Sequence, residues 1–202
     1  MIATGALGDL FHIEAAYNYG RLQKITDGWR GRLPYYSVML GGGVHMADLL
    51  LWLTGRRVVE VSAFGNAIAS RGTDFRFNDL VTGIVRFDDG MTATLTANFG
   101  CVLPHGHALS VYGTAGTFVN DHPDARFHAS RDPGRPPERI TEAHPGAAKG
   151  DLLPAFVTSI VDDGSPPVAR RDIFHALAVC LALERSALEG GTVQVQDPGQ
   201  QP

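Results

Sequence analysis

From Leu10 to Tyr19, Leu10, His12 and Glu14 alternate with Phe11, Ile13 and Ala15, a period of two that predicts a half-buried strand. The same period returns at Val58–Ile68, Asp79–Phe87, Met91–Phe99, His107–Tyr112 and Gly116–Asn120. Asp88-Asp89-Gly90 is a hairpin signal, and Gly113 to Gly116 turn the chain between the last two strands. Strands in succession without helices between them predict an antiparallel meander. Gly43–Thr54 is different. Val44, Ala47, Leu49, Leu50, Leu51, Trp52 and Leu53 leave little polar surface, which predicts a mostly buried helix stopped by Gly55. Ile2–Gly8 reads as a helix end and a turn, with Gly5 and Gly8 as stop signals. Gly20–Tyr36, broken by Gly28, Gly31 and Pro34, reads as an ordered loop long enough to carry function.

Beyond the strands, residues 121–149 are rich in Pro, His, Arg and Asp, and Pro133, Pro136, Pro137 and Pro145 exclude a long helix there. Arg126–Ser130 offers one more strand. Two helices follow. Asp151–Asp162 carries Leu152, Leu153, Phe156, Val157, Ile160 and Val161, with Asp151 as its cap. Arg171–Glu189 carries Ile173, Leu177, Cys180, Leu181, Leu183 and Leu188 and stops at Gly190-Gly191. Thr192–Val195 is a last strand. The pattern predicts an α+β fold: one open, largely antiparallel sheet with helices packed on one face, spanning residues 1–195, and a polar tail over 196–202. The other sheet face is expected to be covered by a partner.

Composition narrows the function classes. The chain has 202 residues, 44% of them hydrophobic, and a net charge of −4. That balance excludes global disorder and argues against a basic nucleic-acid-binding face. The longest apolar run, Leu49–Leu53, is far short of a membrane span, and no basic-then-apolar leader opens the chain; a cytoplasmic protein is expected. Cys101 and Cys180 are expected to be reduced thiols. No G-x-G-x-x-G follows the first strand, and no phosphate-loop motif is present, so no Rossmann domain is expected within this chain.

Two stretches carry candidate chemistry. Gly41-Gly42-Gly43-Val44-His45-Met46-Ala47-Asp48 places an imidazole in the first turn of the predicted helix, behind a flexible glycine segment, with a carboxylate three residues on. Burial and the helix dipole disfavour imidazolium while the carboxylate favours it, a balance suited to acid/base work near neutral pH. The bland alternative is a core histidine bonded to backbone. The second stretch contains Tyr17, Asn18, Tyr19, Arg21, Lys24, Trp29, Arg30, Tyr35 and Tyr36. Aromatic faces with cations and an amide suit a sugar ring, its hydroxyls and an acid or phosphate group. Its alternative is a structural loop in which Trp29 plugs the core and Arg30 makes an ion pair. His105 and His107 flank Gly106 and lie on the same side if the strand starts there. With His45 they form a weak metal candidate that lacks an acidic ligand at a supporting spacing, so no metal is expected.

The run from Gly41 to Gly55, GGGVHMADLLLWLTG, resembles the glycine-rich His-x-x-Asp helix of the glucose–fructose oxidoreductase/inositol dehydrogenase (Gfo/Idh/MocA) family. Gly5–Asp9, Gly28-Trp29-Arg30, Val111–Thr117 and Phe156–Val195 resemble it in the same order. The resemblance covers nearly the whole chain but only that family's C-terminal domain, of the dihydrodipicolinate-reductase-like kind. It implies one half of an NAD(P)-dependent oxidoreductase acting on a sugar, inositol or related polyol. His45 matches the histidine assisting proton transfer at the reacting hydroxyl. Asp48 matches a supporting or substrate contact. Tyr19, Arg21, Lys24, Trp29, Arg30, Tyr36 and His105 are the further substrate-contact candidates. NAD or NADP would belong to the complete enzyme and not to this chain alone, with a Rossmann domain upstream or in trans and homo-oligomers formed through the free sheet face. Many members have Asp four residues before the histidine, where this chain has Gly41. By itself the polypeptide is expected to be inactive. The alternatives are a non-catalytic carbohydrate- or partner-binding module and, within the family, NAD-assisted glycoside hydrolysis or elimination.

Overall fold

The computed structural model describes residues 1–120, 124–141, 150 and 152–196. Nine strands form a single sheet: β1 (Leu10–Asn18), β2 (Val58–Asn66), β3 (Leu80–Phe87), β4 (Thr92–Asn98), β5 (Gly106–Gly113), β6 (Thr117–Asn120), β7 (Ala125–His128), β8 (Glu138–Ile140) and β9 (Thr192–Gln194). Their order is β8-β7-β6-β5-β1-β4-β3-β2-β9. The alternating segments are the strands, and β2–β3–β4 do run as an antiparallel meander. The meander does not continue into β5. Strand β1 is inserted between β4 and β5, parallel to β4 and antiparallel to β5. Residues 99–105 therefore cross over β1, a non-local pairing that no local pattern encodes.

Alternation decides which face is buried. Ile13, Ala15 and Tyr17 of β1, Ala93, Leu95 and Ala97 of β4, and Val81 and Val85 of β3 all turn inward. The opposite face carries Glu14, Thr82, Ile84, Thr94 and Thr96, with Thr82 and Thr96 hydroxyls 2.8 Å apart. Phe11 departs from the alternation because the register shifts between Leu10 and His12, which leaves its ring exposed.

Helix α1 (Gln23–Thr26), a 3₁₀ turn (Trp29–Arg32), a π-helical turn (Met39–Gly43), α2 (Val44–Thr54), α3 (Leu152–Val161) and α4 (Arg170–Glu189) complete the chain. Helix α4 packs on β2, β3 and α2. Its sheet side is built from small residues, Ala176, Val179, Cys180, Ala182 and Ser186, together with Leu183, while Ile173, Leu181 and Leu188 are exposed. This corrects the apolar face expected from its larger side chains. Close approach explains it: a Cβ on Gly83 would stand 2.5 Å from Leu183 Cδ2. Gly190 and Gly191 end the helix at positive φ.

Helix α3 forms as its spacing predicts, yet none of its described side chains is buried. Leu152, Leu153, Phe156, Val157, Ile160 and Val161 all face solvent. Asp151, its expected cap, and most of the 196–202 tail lie outside the described residues. Both cysteines are free thiols. Among the described residues, no helix is long and apolar enough to cross a membrane.

Candidate functional site

The glycine cluster is not a flexible segment ahead of a helix. It is a π-helical turn continuous with α2. The glycines are required by packing rather than by backbone dihedrals. A Cβ on Gly42 would lie 2.5 Å from Tyr17 Cδ1 and 2.9 Å from Phe99 Cε2, and one on Gly41 would lie 2.9 Å from Tyr36 Cζ. With hydrogen there instead, the turn sinks onto the aromatic floor of the sheet. The widened turn then delivers α2 with His45 pointing outward. Such single π turns concentrate at functional sites. Ser37 secures its start: its hydroxyl donates to Glu184 Oε2 at 2.7 Å and accepts from Leu40 N–H at 3.2 Å.

Helix α2 is buried on one side only, through Met46, Ala47, Leu50 and Leu51. The expectation of a mostly buried helix fails on its other side. His45, Asp48 and Trp52 are exposed at spacings of three and four residues, and the Trp52 ring is 78% exposed. His45 is thus an exposed first-turn imidazole rather than a partly buried one.

That stripe forms one wall of a cavity of about 340 Å³ lined by Tyr17, His45, Met46, Asp48, Leu49, Trp52, His105 and His107. Tyr17 is its floor and organising ring. It stacks on His45 at 5.6 Å between centroids, and meets both His105 and His107 at 5.2 Å. His105 and His107 lie 5.5 Å apart, and His45 and His107 lie 6.5 Å apart. Register explains the convergence: Tyr17 of β1 pairs directly with His107 of β5, and both face the helices. Strand β5 begins at Gly106, so His105 does not share a strand side with His107; it reaches Tyr17 from the loop just ahead of the strand. Tyr19 extends the cluster outward, 5.3 Å from His105 and 4.7 Å from Phe99.

Burial raises the Tyr17 phenol above its usual range, helped by Tyr19 and opposed by Arg21 and Arg30. Burial, with Arg21 and His45 adding to it, lowers the His105 imidazole. A neutral His105 accepts or donates hydrogen bonds to hydroxyls. The site is therefore a small aromatic and imidazole cup with one carboxylate, Asp48, suited to a polyhydroxylated ring.

The other sequence candidates fall around this cup. Arg21 lies over the Tyr19 ring at 5.5 Å. Tyr36 is buried beneath Gly41, and the charge of Arg30 acts on its phenol. Trp29 is 63% exposed and covered by Arg30 at 4.9 Å, so it does not plug the core. Neither Trp29 nor Lys24 lines the cavity. Tyr17, Trp52 and His107 do line it. The i, i+3, i+7 spacing of His45, Asp48 and Trp52 carried the signal for Trp52; only strand pairing places His107. A larger groove of about 510 Å³ continues past Asp48 and Trp52 between Arg56, Arg57, Arg171 and Asp172. It has no aromatic floor. Among the described residues no set of His, Cys, Asp or Glu is arranged to hold a metal ion.

The glycine turn offers no nucleotide site either. Gly42 and Gly43 are buried against Tyr17, Phe99, Met39 and Ala97, so no phosphate can approach their backbone.

Comparison with known proteins follows this geometry. Residues 1–119 match the family model of the GFO/IDH/MocA C-terminal domain. The curated myo-inositol dehydrogenase Hyg17 of Streptomyces leeuwenhoekii is 32% identical over 155 residues, 73% of this chain and 46% of its own length. A crystal structure of myo-inositol 2-dehydrogenase from Lactobacillus plantarum aligns with 96% of this chain and 59% of its own, at TM-score 0.76 and 20% identity. Levoglucosan dehydrogenase in complex with NADH and L-sorbose aligns with 97% and 61%, at TM-score 0.72 and 18% identity. The chain spans about half the length of the curated relative it matches.

Proposed function

The chain belongs to the GFO/IDH/MocA family, and from that premise we propose that it is the substrate-binding half of an NAD(P)-dependent oxidoreductase acting on a sugar, inositol or related polyol. The observation that carries this reading is the cup of Tyr17, His45, Asp48, Trp52, His105 and His107 on the helix-covered side of the sheet. The aromatic rings offer an apolar face to a sugar ring, and the imidazoles and Asp48 offer hydrogen bonds to its hydroxyls. His45, exposed at the start of α2, takes the proton from the reacting hydroxyl in oxidation and returns it in reduction. Asp48, one turn along, orients the substrate or the imidazole.

The nicotinamide cofactor supplies hydride chemistry and is held outside the described residues, by a Rossmann domain in cis or in trans. The relatives, longer than this chain by roughly two thirds, support that division of labour. The exposed apolar side of α3 suits packing against such a domain. Phe64 and Ile84 on the free sheet face suit a homo-oligomer contact. Alone, the chain binds substrate without turning it over.

The test is the assembled enzyme, with NAD(P)H-linked turnover of myo-inositol and simple sugars as the readout. Replacing His45 by Asn lowers kcat by ~100-fold, with KM little changed. Turnover near that of the parent enzyme rules out the proton-transfer role.

A further inference from the structure

We propose that the ligand of the His45 cup is an anionic monosaccharide, its charge a carboxylate or a phosphate, and that Arg21 and Arg30 select for that charge. This rests on the reading of the cup as a polyol site and goes beyond it by naming the substrate class.

The geometry starts with Arg21, which follows β1 directly. Its guanidinium lies over the Tyr19 ring at 5.5 Å. Tyr19 in turn meets His105, a lining residue of the cup, at 5.3 Å and Tyr17, its floor, at 5.9 Å. Arg21 therefore stands one ring away from the cavity, on its Tyr19–His105 side. Arg30 comes from the 3₁₀ turn, and its charge acts on the phenol of Tyr36, whose ring lies directly beneath Gly41 in the turn that delivers His45. Arg21 and Arg30 thus come to the surroundings of the cup from two separate segments.

Among the described residues neither is held in an ion pair of the kind that joins Arg56 to Asp89, Arg86 to Glu60 or Arg185 to Glu189. Arg21 and Arg30 instead rest on the aromatic faces of Tyr19 and Trp29. An aromatic platform holds a guanidinium in place while leaving its planar donor fork open, and that fork matches carboxylate and phosphate oxygens. The fields of Arg21 and Arg30 reach the cup: both oppose the rise of the Tyr17 phenol. The carboxylate lining the cavity, Asp48, lies a turn beyond His45 along α2. The Tyr19–His105 rim is the edge of the cup that Arg21 makes cationic. A neutral polyol would leave both arginines unused. A ring bearing one anionic substituent places it against them and keeps a hydroxyl for His45. The cavity, about 340 Å³, has room for one such ring.

Histidine ring resonances of the full chain, assigned with His45→Gln, His105→Gln and His107→Gln, are titrated with D-glucose, D-glucuronate and D-glucose 6-phosphate. The expected result is that at least one anionic sugar moves all three resonances with about tenfold higher affinity than glucose. Which anion does so separates carboxylate from phosphate. Raising the salt to about 0.5 M removes most of that preference. Arg21→Gln, at an exposed position, lowers the preference severalfold while glucose affinity stays constant. Arg30→Gln does the same, and circular dichroism confirms its fold. Equal affinity for all three sugars, or a preference unaffected by Arg21→Gln, overturns the anionic class and leaves the polyol site standing. Anion binding that leaves the histidine resonances still also overturns it, by locating the anion away from the cup. If no sugar moves the histidine resonances at about 50 mM, the polyol-site reading fails and the inference falls with it.

Discussion

Replacing Ser37 by alanine strips the buried Glu184 carboxyl of its hydrogen-bond donor. Both residues are 4% exposed, and the Ser37 hydroxyl donates to Glu184 at 2.7 Å. Leaving a buried polar group without its partner costs about 1–3 kcal/mol. The same hydroxyl accepts from Leu40 N–H at the start of the π turn, and losing that cap costs about 1 kcal/mol more. The sum is about 2–4 kcal/mol, which in a domain of this size lowers Tm by roughly 4–16 °C. Urea unfolding followed by circular dichroism measures the difference directly.

Glu184→Gln supplies the complementary arm. Burial raises the Glu184 carboxyl above its usual range, and the Ser37 bond pulls it part of the way back. A carboxyl raised in the folded state stabilises the fold fully below its unfolded value, about 4.3. That contribution is lost as pH climbs through the folded value. The parent chain therefore loses stability as pH rises from about 4.3 toward the raised folded value. The glutamine variant, which keeps an acceptor for Ser37 and never ionises, loses less. A Ser37→Ala change under about 0.5 kcal/mol, or the same pH slope in parent and glutamine variant, would refute the buried-pair argument.

Gly42→Ala sets overpacking against Tyr17 and Phe99, about 1–3 kcal/mol, against a helix-propensity gain of about 1 kcal/mol. A net loss of up to about 2 kcal/mol with an altered near-ultraviolet spectrum is expected, and unchanged aromatic signals would show that the ring floor yields freely. Burial, with Glu184 adding to it, pushes the Cys180 thiol up to about 12, so a thiol reagent should titrate one cysteine, Cys101, in the native chain and two after unfolding. Phe156→Glu on the exposed face of α3 should change the stability of this chain by less than about 0.5 kcal/mol. It should also lower dye binding to exposed apolar surface; a large loss of stability would mean that α3 packs on the domain.

The strands were legible because a sheet with one buried face writes its own period into the chain. Leu80–Phe87 and Thr92–Asn98 needed nothing else. The long helices were legible as elements, and Gly55, Gly190 and Gly191 as their stops. Burial was harder to read. Hydrophobicity located α3 and the Trp52 side of α2 but not their exposure, because an apolar face records what it is meant to meet, and the described residues of this chain do not cover it. The small residues of α4 were passed over for the same reason. Close packing on the sheet favours Ala, Cys and Ser, which carry little hydrophobic signal.

The site divides along the same line. The motif from Gly41 to Asp48 and the aromatic–cationic run from Tyr17 to Tyr36 were visible as chemistry in one dimension. That His45 opens a helix three residues before Asp48 can be read from the chain alone. That Tyr17 binds these pieces together, with His105 coming from the loop ahead of β5, is a consequence of the fold. Inserting β1 beside β5 sets Tyr17 opposite His107. Gly42 lets the π turn settle onto the same ring, and His45 stacks on it at 5.6 Å between centroids. Pairing across some ninety residues is a property of the whole sheet, and local periodicity carries no information about which strand becomes a neighbour.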